Sequence, residues 1–499
     1  MKTQLTILLT LAAAALAMAQ EPPPKPGPSA RLLEMFQKLD TDGDGKLTAD
    51  EVPGPQLFKM LDKDDDGVVT REECSAFGAG GGRAAGDLRT AEAKLPPAEN
   101  IKPRPHGDEA KAAGLKPDVL AKIDVEMQRH VAAPDAAGIV ALISRNGKVG
   151  YFESFGMLDI EAGKPMPKDA ICRLQSMTKP IIAAAALALL DEGKFTLDEP
   201  ISKHLPEWKE LWVLENGQLV PARNAITPRM LMSHSSGLYY GDIEKGAFAG
   251  GAVRRDANTT LESHSKELAK KPLKFQPGEG YSYGTSIDVL GRYIEAVSGK
   301  PLDEFLEERV LKPLKMSDTG FWVAKEKAGR VAQLYTQSEA GKLARGRPVE
   351  QTTAKPTLLL GGQGLCSTAA DYARFSQMIL NRGELDGARV LKPETVELMF
   401  QSHLKVPGRK YGLGGAVDGE GRYAWGGANG TQFWIDRKNS LFAIFMVQTQ
   451  RYRSPAYADF RRLANEAVGI PGGGIGLPGE GGLARQGSAP TWPRNGRMP

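Results

Sequence analysis

Ser176-Met-Thr-Lys179 runs directly into Pro180 and then Ile181-Ile-Ala-Ala-Ala-Ala-Leu-Ala-Leu-Leu190, an apolar, helix-forming stretch. On a helix, positions i and i+3 share a face, with Cβ atoms about 5–6 Å apart. A lysine amine at that spacing reaches the serine hydroxyl, and an amine held away from water gives up its proton and can serve as a base. The spacing alone is a weak signal. Ser263-His-Ser-Lys266 and Ser402-His-Leu-Lys405 share it, and both read as surface segments. Ser176 is singled out by what lies further along the chain. Pro277-Gly278 leads to Tyr281-Ser282-Tyr283 ahead of the amphipathic Ile287–Val297, so a loop can bring the Tyr281 phenol to share the serine's proton with Lys179. Trp425-Gly426-Gly427-Ala428-Asn429-Gly430 precedes a strand, and its glycines let a backbone N–H approach a ligand as an oxyanion donor. Taken singly, these are a helix cap, a core tyrosine and a glycine-rich turn. In this order they point to acyl chemistry.

The strand signals sit at both ends of the surrounding domain. Gly138-Ile-Val-Ala-Leu-Ile-Ser144 reads as a strand, Asn146-Gly147 as a tight turn and Val149–Phe155 as the hairpin partner. Gln432–Ile435 and Leu441–Val447 form a second strand pair about a polar turn at 436–440. Helices are expected over Asp118–Val131, Ala369–Leu380 and Pro455–Val468, with helices and loops filling the middle. This order predicts an α/β domain over residues 117–470: one antiparallel sheet built from both termini, with an all-helical subdomain inserted between its halves. The site is expected in the cleft between them.

The rest of the 499-residue chain divides by composition. Residues 1–19 read as a signal peptide, with Lys2, an apolar run from Leu5 to Leu16 and the small-residue site Ala17-Met-Ala19. That run is too short to span a bilayer, which takes about 20 residues, so the protein is expected in the periplasm or secreted, not membrane-spanning. Residues 20–30 are a proline-rich spacer, 78–116 a flexible linker and 471–499 a disordered tail. Lysines and arginines number 64 against 60 acidic residues, with no basic run interleaved with aromatics, which excludes a nucleic-acid partner. Three cysteines cannot make a disulfide framework. Cys172 and Cys366 read as buried thiols, while the state of Cys74 stays open.

Residues 31–77 form a small α-helical, EF-hand-like module. Asp40, Asp42 and Asp44 alternate, Gly45 permits the sharp turn, Lys46 offers its carbonyl and Glu51 can bind through both oxygens. Asp62, Asp64, Asp66, Val68 and Glu73 repeat the pattern. Two calcium ions are expected in structural roles, and catalysis needs no cofactor. Only Val52–Leu61 separates the loops, and Pro53-Gly54-Pro55 breaks any long exiting helix, so a docking role with an extracellular protein partner suits the doublet better than signalling.

Over residues 120–470 the chain resembles the serine β-lactamase-like hydrolases, which include class C β-lactamases, DD-peptidases and family VIII carboxylesterases. The resemblance rests on Ser176-Met-Thr-Lys179, the Leu-Asp-Glu-Pro200 segment, Ile226-Thr-Pro through His234-Ser-Ser-Gly237, Phe275-Gln-Pro-Gly through Tyr281-Ser, Gly361-Gly-x-Gly-Leu-x-Ser-Thr368 and Trp425-Gly-Gly. It implies Ser176 as acylated nucleophile, Lys179 as base and Tyr281 as proton shuttle. It also implies an oxyanion hole from the N–H groups of Ser176 and Ala428. The lactamases carry Tyr-x-Asn, whose third position is here Tyr283, and Lys-Thr-Gly, here Trp425-Gly426-Gly427. Losing that lysine removes a partner for a substrate carboxylate. Both changes favour the esterase branch, with small uncharged esters, over a β-lactamase or DD-peptidase; a non-catalytic binding protein on the same fold is the alternative from another class. His234 reads as a turn residue bonded through its backbone, because no Gly-x-Ser-x-Gly elbow supports a Ser-His-Asp triad.

Overall fold

The structure, a computed structural model, describes residues 36, 39–48, 50–52, 66–70, 97–133, 136–241, 258–338, 341–452 and 454–470. The chain separates into two units, Met1–Glu92 and Ala93–Pro499. In the second unit, β1 (Gly138–Arg145) and β2 (Lys148–Asp159) form the expected hairpin. Asn146 and Gly147 both take positive φ, 53° and 75°, as a two-residue turn of the right twist requires. Strands β3 (Lys164–Pro165), β4 (Ala416–Val417), β5 (Arg422–Gly427), β6 (Thr431–Asp436) and β7 (Leu441–Val447) complete one antiparallel sheet, ordered β4-β5-β6-β7-β1-β2-β3. The join between β7 and β1, from Leu441 opposite Arg145 to Val447 opposite Ile139, ties the two ends of the domain together at the sheet's centre.

All seven residues of β7 are buried, so the strand is an unbroken apolar run rather than an alternating one. Both faces of the sheet must therefore be covered. Adjacent strand residues point to opposite faces, and Phe433 and Trp434 of β6 show what covers each. Trp434 meets Phe460 of α5 (Ala456–Ala467), ring centroids 5.9 Å apart, on the face shared with α1 (Pro117–Ala132). Phe433 meets Tyr372 of α4 (Ala369–Leu380) at 4.8 Å on the other. Behind that second face α2 (Thr178–Asp191) is buried from Thr178 through Leu189, as a helix apolar on all sides must be, and packs against α3 (Ser286–Ser298).

Two expectations need correction. The linker does not extend to residue 116. Ala110, Ala113 and Leu115 are buried in the main core, and the Lys116 N–H donates to the Ala467 carbonyl. Asp124 of α1 clamps the segment: its carboxylate accepts the Arg104 N–H at 2.9 Å, contacts His106 Nε2 at 2.8 Å and accepts the Tyr151 hydroxyl at 2.9 Å. The region between the half-sheets is also not all helical, because Trp212–Glu215 and Gln218–Pro221 pair as a hairpin. The signal peptide, the spacer, residues 78–96, Cys74 and the tail from 471 lie outside the described residues.

Leu115→Ala should destabilise the domain by about 2–4 kcal/mol, read as a lowered urea midpoint. A side chain in a flexible linker would leave the midpoint unmoved.

Candidate active site

Ser176 does not sit inside α2. It lies on a single 3₁₀ turn, Gln175–Met177, that leads into it. Gln175 holds a φ of 50°, a conformation a side chain of that size adopts only when its surroundings enforce it. They do so on both sides. The Leu174 N–H donates to the Leu365 carbonyl and the Leu174 carbonyl accepts from Thr431 Oγ1, both at 2.9 Å. The Tyr372 hydroxyl donates to the Met177 carbonyl at 3.0 Å.

Lys179 is fully buried, with Nζ 3.1 Å from Ser176 Oγ and 2.7 Å from the Gly362 carbonyl. Burial pushes its pKa down to about 7, against an upward pull from Asp288. Asp288, on α3, accepts the Gly362 N–H at 2.7 Å and so anchors the residue whose carbonyl holds the lysine.

The phenol on Ser176 belongs to Tyr283, not Tyr281. The Tyr283 hydroxyl donates to Ser176 Oγ at 2.6 Å, and Lys179 Nζ lies 4.6 Å from its ring centroid. Burial raises the pKa of this phenol, so it stays protonated at neutral pH. Tyr281 stands further out, its ring 5.6 Å from that of Tyr411 and under the Arg409 guanidinium at 4.4 Å. With Tyr283 as the tyrosine of the Tyr-x-Asn position, the third place falls to Thr285, whose Oγ1 is buried without a hydrogen-bond partner among the described residues.

Trp425 packs on both Tyr283 and Tyr411, with ring centroids 5.3 and 5.1 Å away. Gly427 is required by contact: a Cβ there would lie 2.1 Å from the Leu174 carbonyl oxygen. The end of β5 is thus pressed onto the Ser176 turn, and Ala428 follows at once, with the Gly430 N–H closing the turn on the Gly427 carbonyl.

In the N-terminal unit, Lys46–Leu47 pairs antiparallel with Val69–Thr70, which places the eighth residues of the two acidic loops, Leu47 and Val69, opposite each other. Both are fully buried with Phe36. Gly45 and Gly67 take φ of 81° and 85°. Oxygens of Asp40, Asp42 and Glu51 lie within 4.8 Å of one another, and Asp40 Oδ1 is buried without a hydrogen-bond partner among the described residues, as fits a cation cradle. Asp44 caps the Lys46 N–H, and Asp66 the Val68 N–H. Asp62, Asp64 and Glu73 lie outside the described residues.

Residues 124–467 match the family model described as Beta-lactamase. The chain belongs to the beta-lactamase family. Residues 33–52 and 56–77 match an EF-hand model. The esterase EstB of Burkholderia gladioli is 29% identical over 366 residues, 66% of this chain and 91% of that protein. An uncharacterized protein of Mycobacterium tuberculosis is 35% identical over 343 residues, covering 62% and 86%. The solved structure of EstCE1, a hydrolase with promiscuous acyltransferase activity, superimposes with a TM-score of 0.61 at 26% identity, covering 70% of this chain and 98% of that one. This member of the beta-lactamase family is a serine hydrolase with the transpeptidase-like fold.

Within the beta-lactamase fold, His234 is bonded through its backbone, accepting the Ser282 N–H at 3.0 Å. Its ring is fully buried among tyrosines, 4.7 Å from that of Tyr283, and burial together with nearby Lys179 keeps it neutral. The rival Ser-x-x-Lys segments are surface features. Ser263 is the third helical residue of a capping box with Thr260 while Lys266 pairs with Glu262, and the Ser402 hydroxyl accepts the Tyr411 N–H at 3.4 Å. Cys172 and Cys366 are buried free thiols on neighbouring short strands. Asp288 and Tyr411 carry no motif of their own. Gly362 lies in the Gly361-Gly-x-Gly segment, which signals close backbone approach but not a carbonyl on a lysine.

Tyr283→Phe should lower kcat/KM by about 10²- to 10³-fold by removing the hydroxyl on Ser176, measured by initial rates on a nitrophenyl ester. Tyr281→Phe should cost less than about fivefold in the same assay, since that hydroxyl lies outside the serine's hydrogen bonds.

Proposed function

We propose that the protein is an exported carboxylesterase that works through an acyl-enzyme on Ser176. The observation that carries this is a single oxygen, Ser176 Oγ, held at once by Lys179 Nζ and the Tyr283 hydroxyl. Lys179, neutral above pH 7 or so, takes the serine proton as Oγ attacks the ester carbonyl. The N–H groups of Ser176 and Ala428 receive the developing oxyanion. Tyr283 passes a proton to the departing alkoxide, and water then releases the acyl group with the same pair as base. Trp425, standing where the lactamases carry a lysine, leaves that wall apolar and supports esters over β-lactams and D-alanyl peptides.

Residues 1–19 direct the chain to the periplasm or outside the cell. In the N-terminal module Asp40, Asp42, Asp44, the Lys46 carbonyl and Glu51 hold one calcium ion. Asp62, Asp64, Asp66, the Val68 carbonyl and Glu73 hold a second. Hydrogen bonds from the backbone N–H groups of Thr48 and Thr41 depress the Glu51 pKa to about 2, so its carboxylate is ready for a cation at any ordinary pH. The module serves as a structural or docking element for an extracellular partner.

Ser176→Ala should lower hydrolysis of a short-chain nitrophenyl ester by at least about 10³-fold. The wild-type kcat/KM should fall tenfold per pH unit below about 7, as Lys179 becomes protonated. A flat profile between pH 5 and 8 would remove Lys179 as the base, and faster turnover of a chromogenic cephalosporin than of the ester would replace esterase with lactamase. Glu51→Gln should weaken calcium binding about tenfold or more by calorimetry while leaving ester turnover unchanged.

A further inference from the structure

Arg409 is set apart from the other arginines of its neighbourhood. Arg437 pairs with Glu397, Arg422 with Asp436 and Arg229 with Asp198. Arg409 meets no carboxylate among the described residues; its guanidinium carbon lies over the Tyr281 ring, 4.4 Å from the centroid. The guanidinium also hydrogen-bonds the Tyr281 hydroxyl, and its other N–H donors are left to match a carboxylate. The backbone on either side of it is tied down. The Arg409 N–H donates to the Val406 carbonyl, and two residues on, Tyr411 is buried and tied down by the Ser402 hydroxyl and the His403 N–H.

A row of aromatic contacts connects this cation to the serine. Tyr281 touches Tyr411, Tyr411 touches Trp425, and Trp425 touches Tyr283, whose hydroxyl is on Ser176 Oγ. The rings between are packed on one another, Tyr411 and Trp425 being buried, while a positive charge that meets no carboxylate among the described residues stands at the exposed outer end of the row. A substrate uncharged along its length would leave that charge unused.

We propose that Arg409 is a specificity-determining residue, and that the preferred substrates are esters bearing a carboxylate several bonds from the scissile carbonyl. The proposal rests on the ester-cleaving serine reading above. It departs from small uncharged esters only at the far end of the substrate. The charge that the lactamases place beside the reacting carbonyl is here carried by the rim.

The test compares a 4-nitrophenyl hemiester of glutaric acid with 4-nitrophenyl butyrate on the full chain. The readout is the ratio of kcat/KM values, hemiester over butyrate. Arg409→Ala should lower this ratio about fivefold, chiefly through KM of the hemiester, and Arg409→Glu should lower it further. The wild-type ratio should fall as ionic strength rises, because the pair is exposed. A ratio unchanged in both variants, or one insensitive to salt in the wild type, would overturn the role of Arg409. Butyrate turnover and its loss in Ser176→Ala report separately on the serine mechanism, so the two ideas fail independently.

Discussion

An amine buried without a counter-ion in contact is the constraint around which this site is built. Lys179 occupies the first turn of an otherwise apolar helix, and a charged ammonium there would carry a desolvation cost of several kcal/mol. The protein meets that cost with two oxygens, Ser176 Oγ and the Gly362 carbonyl, and with Asp288 behind the latter. Those groups arrive from segments far apart in sequence. The seven-stranded sheet and the helices on its second face exist, in functional terms, to hold them around one nitrogen. A lysine in water would be a cation at neutral pH; here it can be a base.

The serine is positioned by compression rather than by helix geometry. Gln175 is held at positive φ between Leu174, tied to Leu365 and Thr431, and Met177, tied to Tyr372, and the end of β5 presses on Leu174 so closely that only glycine fits at 427. The same strand carries Trp425 where lactamases carry a cation, and so joins two consequences. It places Ala428 directly after the glycine pressed on the Ser176 turn, and Trp425 starts a row of packed rings that runs through the buried Tyr411 to Tyr281. Arg409 at the outer end of that row moves the positive charge away from the chemistry.

The fold was legible where burial is continuous or turn chemistry is specific. Gly138–Ser144, Leu441–Val447 and Asn146-Gly147 are such places, and both acidic loops carry fixed ligand spacing. The choice between Tyr281 and Tyr283 was not legible, because residues two apart face the same side of an extended chain and both sit among aromatics. Asp288 and Gly362 escaped because they act through a backbone peptide, which leaves no side-chain signature. The hairpin at 212–221 does carry Asn216-Gly217, but Trp212 and Leu219 stay about half exposed, so its strands lack the apolar alternation that marks a buried sheet. Residues 98–116 resemble a linker because Ala110, Ala113 and Leu115 are few among charged neighbours, though each finds the core.

Labelling with a nitrophenyl phosphonate, followed by peptide mass spectrometry across a pH series, tests the arrangement around Lys179 most directly. An adduct on Ser176 alone, forming faster as the pH rises through about 7, is the predicted result. An adduct on another residue, or labelling of Ser176 at a rate indifferent to pH over that range, would contradict it.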